Sequence, residues 1–381
     1  MRVLIAVTHL LGTGHLARAT ALAEAFAAAG HEALIVSGGM PAPHLAPGTP
    51  GAEIAQLPPL CSDGVNFTRL LDADGQVADD GYLAARRTVL LDALDRFAPD
   101  ALITELFPFG RRVLADEFEA LLSAARARTP RPLIFASIRD VLAPPSSEKK
   151  AAQTGARLCG FYDGVLVHGD AAITPLEASW PVTADIAAML RYTGFISPPL
   201  PSAGPAGDGA GEVLVTAGGG PVGDGLFESA LGAAASDERV WRLLVGGGDR
   251  EARIARLKAT APANAIVEPV RPDFRELLQR AVASVSQAGY NTMMDLAAIG
   301  LPAVIAPFEE GGETEQRQRA EAFAERFPMT VVPEAELSPV TLGAALHEAL
   351  SARAGERPAI DLDGARRSVE IVADAVARGS A

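Results

Sequence analysis

Short apolar runs, each closed by a glycine or a polar turn, recur along this chain. Val3 to Thr8 is the first: it is β-branched and apolar on both faces, and it is too short for a helix. Parallel strands buried on both sides read this way. The loop His9 to Gly14 follows, then His15 opens an alanine-rich helix that stops before Gly30, and Ala33 to Ser37 is the second strand. These residues predict one βαβ unit.

Residues 39 to 78 are rich in Pro, Gly and Asp and predict a long surface segment. A helix from about Tyr82 to Phe97 then leads to a strand at Ala101 to Thr104, which ends at Glu105. Further strands are predicted at Leu133 to Ser137, before Arg139 and Asp140, and at Val165 to Val167, before His168.

From Phe195 to Gly211 almost every residue is Pro, Gly, Ala or Ser, the composition of a linker. Beyond it the pattern restarts. Glu212 to Ala217 runs into Gly218, Gly219 and Gly220; Trp241 to Val245 runs into Gly246 to Gly248; short strands follow at Ala265 to Glu268, Val282 to Ser286 and Ala303 to Ala306. Asp361 to Arg378 predicts a last helix with Val369, Val372 and Val376 on one face.

The fold class expected is therefore α/β, with two Rossmann-like doubly wound domains facing across a cleft. Residues 1–196 form the first domain, 197–211 the linker and 212–360 the second domain, and 361–381 form a helix that crosses back to the first.

With 381 residues the chain exceeds one typical core. Its net charge of −14 argues against a nucleic-acid partner and against electrostatic docking on anionic lipid. Cys61 and Cys159 are far apart and form no CxxC, so neither a disulfide framework nor a zinc site is expected. No apolar run reaches the ~18 residues of a membrane span, and no leader pattern precedes the first strand, so a cytoplasmic protein without an integral membrane segment is expected.

In open α/β sheets ligands bind where parallel strands end, and the N–H groups of a helix N-terminus favour an anion there. Two stretches meet that description. In Ser286 to Gln316, Gly289 permits close backbone approach, Asn291 and Thr292 add donors, and Asp295 one turn further in suits a ribose diol. A helix capped by Asn291 and followed by an ordinary strand is the plainer account. In the first half, His15 sits at a helix start, where a neutral imidazole can take a proton, and Glu105 at a strand end can orient it or act as a base itself.

Other templates fit less well. Gly218, Gly220 and Gly223 spell the dinucleotide fingerprint GxGxxG, but Pro221 removes a donor and no acid ends the next strand. The same glycines can cradle a diphosphate. Asp72 with Asp74 and Asp361 with Asp363 spell DxD in what read as solvated turns.

The GTGH loop after the first strand, the stretch SQAGYNTMMDLAAIGLPAVIAPF and the later Glu315–Gln316 pair together resemble the two-domain nucleotide-sugar glycosyltransferases, the GT-B group. The C-terminal half is most similar to family 28, typified by the peptidoglycan N-acetylglucosaminyltransferase MurG. This resemblance implies that Asp295 holds the ribose hydroxyls and that Glu315 and Gln316 reach the donor sugar. It implies that Gly289, Asn291 and Thr292, with Gly218, Gly219 and Gly220, lie beside the diphosphate. His15 matches a histidine proposed as base or phosphate contact. Gly12, Thr13, Gly14, Arg139, Asp140 and His168 are expected on the acceptor side. The loop departs from the family in having fewer glycines, and Glu310 to Gly312 lengthen the segment before the Glu–Gln pair.

The expected partners are a nucleotide sugar and a small-molecule or glycan acceptor, with no cofactor and no metal. The expected activity is metal-independent, inverting sugar transfer, with a UDP-sugar favoured as donor. A nucleotide-sugar hydrolase or epimerase, a non-catalytic nucleotide-sugar-binding protein and an NAD(P) enzyme are the alternatives.

Overall fold

The computed structural model describes residues 1–63, 66–202, 207–218, 220, 222–310, 313–352 and 359–379. The chain forms two compact units. The first comprises Met1–Ala171, Pro175–Ile196 and Asp363–Ala381, and the second comprises Ala172–Thr174 and Ser197–Leu362.

In the first unit the strands are β1 (Arg2–Val7), β2 (Glu32–Gly39), β3 (Ala52–Asp63), β4 (Asn66–Leu71), β5 (Ala101–Glu105), β6 (Leu133–Arg139), β7 (Gly164–His168) and β8 (Leu190–Tyr192). Among the described residues they form one sheet in the order β4-β3-β2-β1-β5-β6-β7-β8, parallel except for β4. The helices are α1 (Gly14–Ala28), α2 (Asp80–Phe97), α3 (Ala115–Arg126), α4 (Glu148–Phe161) and α5 (Ala184–Met189). The central strands are buried along nearly their whole length, which is why they are continuous apolar runs. Helix α1 buries Leu16, Ala19, Leu22, Ala23 and Phe26, one face at helical spacing.

The second unit holds β9 (Val213–Thr216), β10 (Trp241–Val245), β11 (Ala265–Pro269), β12 (Ala283–Ser286), β13 (Ala303–Ile305) and β14 (Met329–Val331). Their order is β11-β10-β9-β12-β13-β14, all parallel. Its helices are α6 (Asp224–Ala234), α7 (Arg250–Lys258), α8 (Phe274–Arg280), α9 (Tyr290–Ile299), α10 (Glu315–Ala324) and α11 (Pro339–Ser351). The last helix, α12 (Gly364–Gly379), belongs to the first unit, where it packs on α1.

In both sheets the strand order reverses beside the first strand, between β1 and β5 and between β9 and β12. Such switch points open a crevice at the carboxyl ends of the strands. Helices α1, α6 and α9 start there and, like α3, α7, α8 and α10, have no side-chain cap, whereas α2, α4, α5 and α11 are capped by Asp79, Ser147, Thr183 and Ser338. The uncapped first-turn N–H groups remain available to a ligand.

Residues 39 to 78 depart from the expected surface segment, because most of them extend the sheet. β3 pairs in parallel with β2 from Ala33↔Ala52 to Ser37↔Gln56, and β4 returns antiparallel with Cys61 opposite Leu71. β4 covers only the last part of β3, so Pro58 and Pro59 fall on an open edge where the β2–β3 register also shifts. Prolines at such an edge hide a strand from pattern reading.

The expected linker is also less free than its composition suggests. Arg275 on α8 donates from Nη2 to Pro198 O and from Nη1 to Pro199 O, both 2.8 Å, and Gln279 Nε2 donates to Pro201 O at 2.7 Å. A run of prolines leaves its carbonyls unpaired, and α8 satisfies them.

Candidate functional site

At the first switch point, the carboxyl end of β1 and the start of α1 bring His15 over the end of β5. His15 Nδ1 lies 2.9 Å from Glu105 Oε1. Arg18 stands three residues along α1, on the same face, and donates to the same oxygen from Nη2 at 2.6 Å and from Nε at 3.0 Å. Ser137, opposite Glu105 in the β5–β6 register, donates to Oε2 at 2.5 Å.

The charge balance of this cluster is set by burial. Glu105 is 1 % exposed, and burial alone would raise its pKa. Arg18 and the His15 hydrogen bond outweigh that and hold the carboxylate far below its ordinary range, so it is ionised. His15 is pushed down to about 4, because burial opposes its charged form more than Glu105 favours it. At neutral pH His15 is therefore an uncharged imidazole beside a carboxylate. Nδ1 has two neighbours, the accepting Glu105 Oε1 at 2.9 Å and the donating Arg18 Nη2 at 3.2 Å; the shorter, charge-assisted contact to the carboxylate places the proton on Nδ1. Nε2 keeps its lone pair, as a base requires.

Glu105 itself is a poor proton acceptor: it is buried, ionised and saturated with donors. The expectation that it orients His15 fits this geometry, and the alternative, that it acts as a base, does not.

Two other residues expected to line the acceptor side are enclosed. Asp140 and His168 are both 0 % exposed, at the ends of β6 and β7, which lie inside the sheet. Arg139 turns its Nε to Val141 O at 3.1 Å. Gly12 and Gly14 have open space where a Cβ would stand, and Thr13 makes no cap bond.

Arg111 is absent from the sequence expectations. Held at a left-handed φ of 57°, it donates from Nε to Thr8 O at 2.7 Å. Burial lowers it to about 10, and Glu105 opposes part of that fall. Nothing in its local sequence marks it; only the fold brings the β5–α3 connection beside β1.

At the second switch point, α9 starts at Gly289 without a side-chain cap, so Asn291 is not the cap of the plainer account. Asn291 and Thr292 lie in its first turn. Asp295 is 6 % exposed and accepts from Arg275 Nε on Oδ1 at 2.8 Å. Burial raises its pKa, and Arg275 offsets part of the rise. Its Oδ2 has no recorded partner among the described residues.

Gly218 has φ +77° and its N–H is turned onto Thr216 Oγ1 at 3.1 Å. At Gly223 a Cβ would lie 2.3 Å from the Ala217 Cβ, so only glycine fits that turn. Arg253 ties the two glycine loops together, donating to Val222 O at 2.7 Å and Gly246 O at 3.0 Å. Gly219, Pro221, Gly311 and Gly312 lie outside the described residues.

Before α10, Glu313 Oε1 accepts from Glu315 N at 2.5 Å and Gln316 N at 3.3 Å, and Gln316 Oε1 accepts from Phe308 N at 3.2 Å. These bonds fix the backbone of the Glu–Gln pair at the helix start and the side chain of Gln316 against Phe308. Asp72 accepts from the N–H groups of Asp74 and Gln76, which makes that DxD a local turn. Among the described residues no group of three or more His, Cys, Asp or Glu is spaced for a metal, and no helix is long and apolar enough to cross a membrane.

The chain resembles known proteins in sequence over part of its length and in fold over all of it. Residues 231–364 match the model of the glycosyltransferase family 28 C-terminal domain. Relatives named UDP-N-acetylglucosamine–N-acetylmuramyl-(pentapeptide) pyrophosphoryl-undecaprenol N-acetylglucosamine transferase include one from Prochlorococcus marinus (strain MIT 9303). It is 29% identical over 163 residues, covering 42% of this chain and 44% of the relative. Another, from Mesorhizobium japonicum, is 29% identical over 171 residues, covering 42% and 46%. The chain thus spans less than half the length of these curated relatives.

Solved structures align over the whole chain. Acinetobacter baumannii MurG superposes with a TM-score of 0.61 at 16% identity, covering 98% of this chain and 99% of that one. The calicheamicin glycosyltransferase CalG4 gives 0.62 at 17%, covering 100% and 97%. The protein thus has the GT-B fold, and its residues 231–364 match the glycosyltransferase family 28 C-terminal domain.

Proposed function

We propose that the protein transfers a sugar from a nucleotide-diphosphate sugar to an acceptor hydroxyl, without a metal and with inversion at the anomeric carbon. The observation that carries this is the neutral His15 imidazole, oriented by an ionised, donor-saturated Glu105 at the carboxyl edge of a GT-B sheet. A UDP-sugar is the favoured donor, since relatives that match 42% of the chain are named for UDP-N-acetylglucosamine.

The acceptor O–H proton passes to His15 Nε2 as its oxygen attacks the anomeric carbon, and the resulting imidazolium is paired with Glu105. The bond from the anomeric carbon to the β-phosphate oxygen breaks with its electron pair, leaving a nucleoside diphosphate. Its charge is met by the open N–H groups of α9 and the glycine loop at Gly218. Asp295, through its free Oδ2, accepts from a ribose hydroxyl while Arg275 steadies Oδ1. Glu315 and Gln316 reach the donor sugar.

Thermal stabilisation by UDP-, GDP- and dTDP-sugars, NAD and NADP, on the wild type and on Asp295→Ala, tests this. A ligand at about 100 times its dissociation constant adds about 2.7 kcal/mol to the apparent stability. Stabilisation by one nucleotide sugar, lost in the variant, is the expected result, and a shift by NAD(P) alone sinks the proposal. Sugar release without any acceptor would point instead to hydrolysis.

A further inference from the structure

Behind His15 the hydrogen bonds continue across the carboxyl ends of three strands. The sheet register sets Glu105 beside Ser137 and Arg139 beside His168. Ser137 Oγ lies 2.5 Å from Glu105 Oε2 and 2.9 Å from His168 Nε2, and His168 Nδ1 lies 2.9 Å from Thr193 Oγ1. Ser137 and His168 are 0 % exposed, and Glu105 and Thr193 are 1 %. Among the described residues, Ser137 is the only hydrogen-bond donor on Glu105 Oε2.

Counting protons fixes the direction of the two bonds at Ser137. A carboxylate only accepts, so the single Ser137 proton goes to Glu105, the shorter and charge-assisted contact. Ser137 Oγ must then accept from His168, which places the His168 proton on Nε2. His168 Nδ1 then carries no proton and faces Thr193 Oγ1, whose single proton has three acceptors to choose from, His168 Nδ1 at 2.9 Å, Gly194 O at 2.8 Å and Val167 O at 3.3 Å. At the other end Glu105 Oε1 receives Arg18 and the Nδ1–H of His15.

We propose that Ser137 and His168 are positioning residues: they hold the Glu105 carboxylate in one orientation and through it fix His15 as the tautomer whose Nε2 is free to take a proton. A buried carboxylate oxygen without a donor is strongly disfavoured. Without Ser137, Glu105 would turn to share both oxygens with Arg18, and His15 would lose the single acceptor that selects Nδ1–H. The other charged or titratable groups around His15 are Arg18 on its own helix and Arg111 from the β5–α3 connection. The transferase proposal is needed only for what the base acts on; the tautomer exists without turnover.

Full-length protein with 15N-labelled histidine tests this, using the His15 ring-nitrogen shifts in the wild type, Ser137→Ala, His168→Phe and His168→Gln. The glutamine amide supplies an N–H where His168 Nε2–H stood. The wild type and His168→Gln should show one His15 tautomer, protonated on Nδ1, while Ser137→Ala and His168→Phe should show both. In turnover, Ser137→Ala should lower kcat about tenfold with KM for the nucleotide sugar unchanged. The acid limb of its pH profile should move to higher pH, because a less satisfied carboxylate holds the imidazolium more tightly.

A mixed tautomer in the wild type would overturn the inference, as would an unchanged tautomer in a Ser137→Ala protein that melts like the wild type. If Ser137→Ala fails to fold, the His168 pair decides, and glutamine behaving like phenylalanine overturns it. A single tautomer in a protein that transfers no sugar would leave the relay standing and remove the transferase reading.

Discussion

Each switch point of this molecule carries a carboxylate paired with an arginine, and the two pairs behave oppositely. Glu105 has Arg18, His15 and Ser137 on its two oxygens, and its pKa falls far below the ordinary range. Asp295 has Arg275 on one oxygen, and its pKa rises. Both are buried, so burial does not separate them. The number of donors does: Glu105 is saturated and serves a neighbour, while Asp295 keeps an oxygen for a ligand. A buried acid is best read by counting what its oxygens still lack.

The largest effect should come from removing the residue that Glu105 serves. His15→Ala should lower kcat by about 10²- to 10⁴-fold, with nucleotide-sugar binding unchanged by calorimetry. Full activity in this variant would break the comparison at its functional end. Next, Glu105→Gln should destabilise the fold by about 3–5 kcal/mol in urea melts, because the buried Arg18 loses its counter-charge. Asp295→Asn should instead leave the melt within about 1 kcal/mol of the wild type while nucleotide-sugar affinity falls about tenfold or more. If the two variants behave alike, donor count is not what distinguishes the acids.

A pH titration sharpens the same contrast. His15 and His168 are depressed to about 4 and about 3, so the unfolded chain binds more protons than the folded one as pH falls below 6.5. Stability is therefore full above pH 6.5 and should drop by about 1.4 kcal/mol per pH unit for each histidine between pH 6.5 and 4. The slope should fall by about 1.4 kcal/mol per pH unit in His168→Gln, while the contributions of His15 and of the also-depressed His9 and His31 remain. The smallest expected effect is that of Arg275→Met, which should raise the Asp295 pKa further and weaken donor binding severalfold by freeing the carbonyls of Pro198 and Pro199.

Much of this was legible in the chain itself, for physical reasons. β1, β5, β6, β7, β9, β10 and β12 are buried on both faces, so their apolar runs stand out from the turns around them. β3 is half exposed and carries two prolines on an open edge, so it reads as loop. His15 and Glu105 could be singled out because strand ends in α/β sheets are where chemistry collects. Arg18 was one helical turn away and carried a usable signal in its spacing. Ser137 and His168 carried none for a relay, since only the strand order puts β6 and β7 beside β5. The pairing of Arg275 with Asp295 was hidden for the same reason: it joins side chains of two helices whose contact is set by packing.

One feature of the chain path bears on how the molecule is made. After Leu362 the backbone returns to the first unit, where Ile196 bridges to Asp363, Gly364 donates to Phe195 O at 3.0 Å, and Val369 and Val372 join the cluster of Leu16, Leu22 and Phe26. A Cβ at Gly364 would stand 2.4 Å from Gly194 O, so the junction is closely fitted. During synthesis at about 5–20 residues per second, the apolar face of α1 waits uncovered until residues 364–379 have left the ribosome. The second unit, continuous from Ser197 to Leu362 apart from one short excursion, can close first. The half of the molecule that begins to emerge first is the last to be finished, and its nascent form is the one most in need of protection from aggregation.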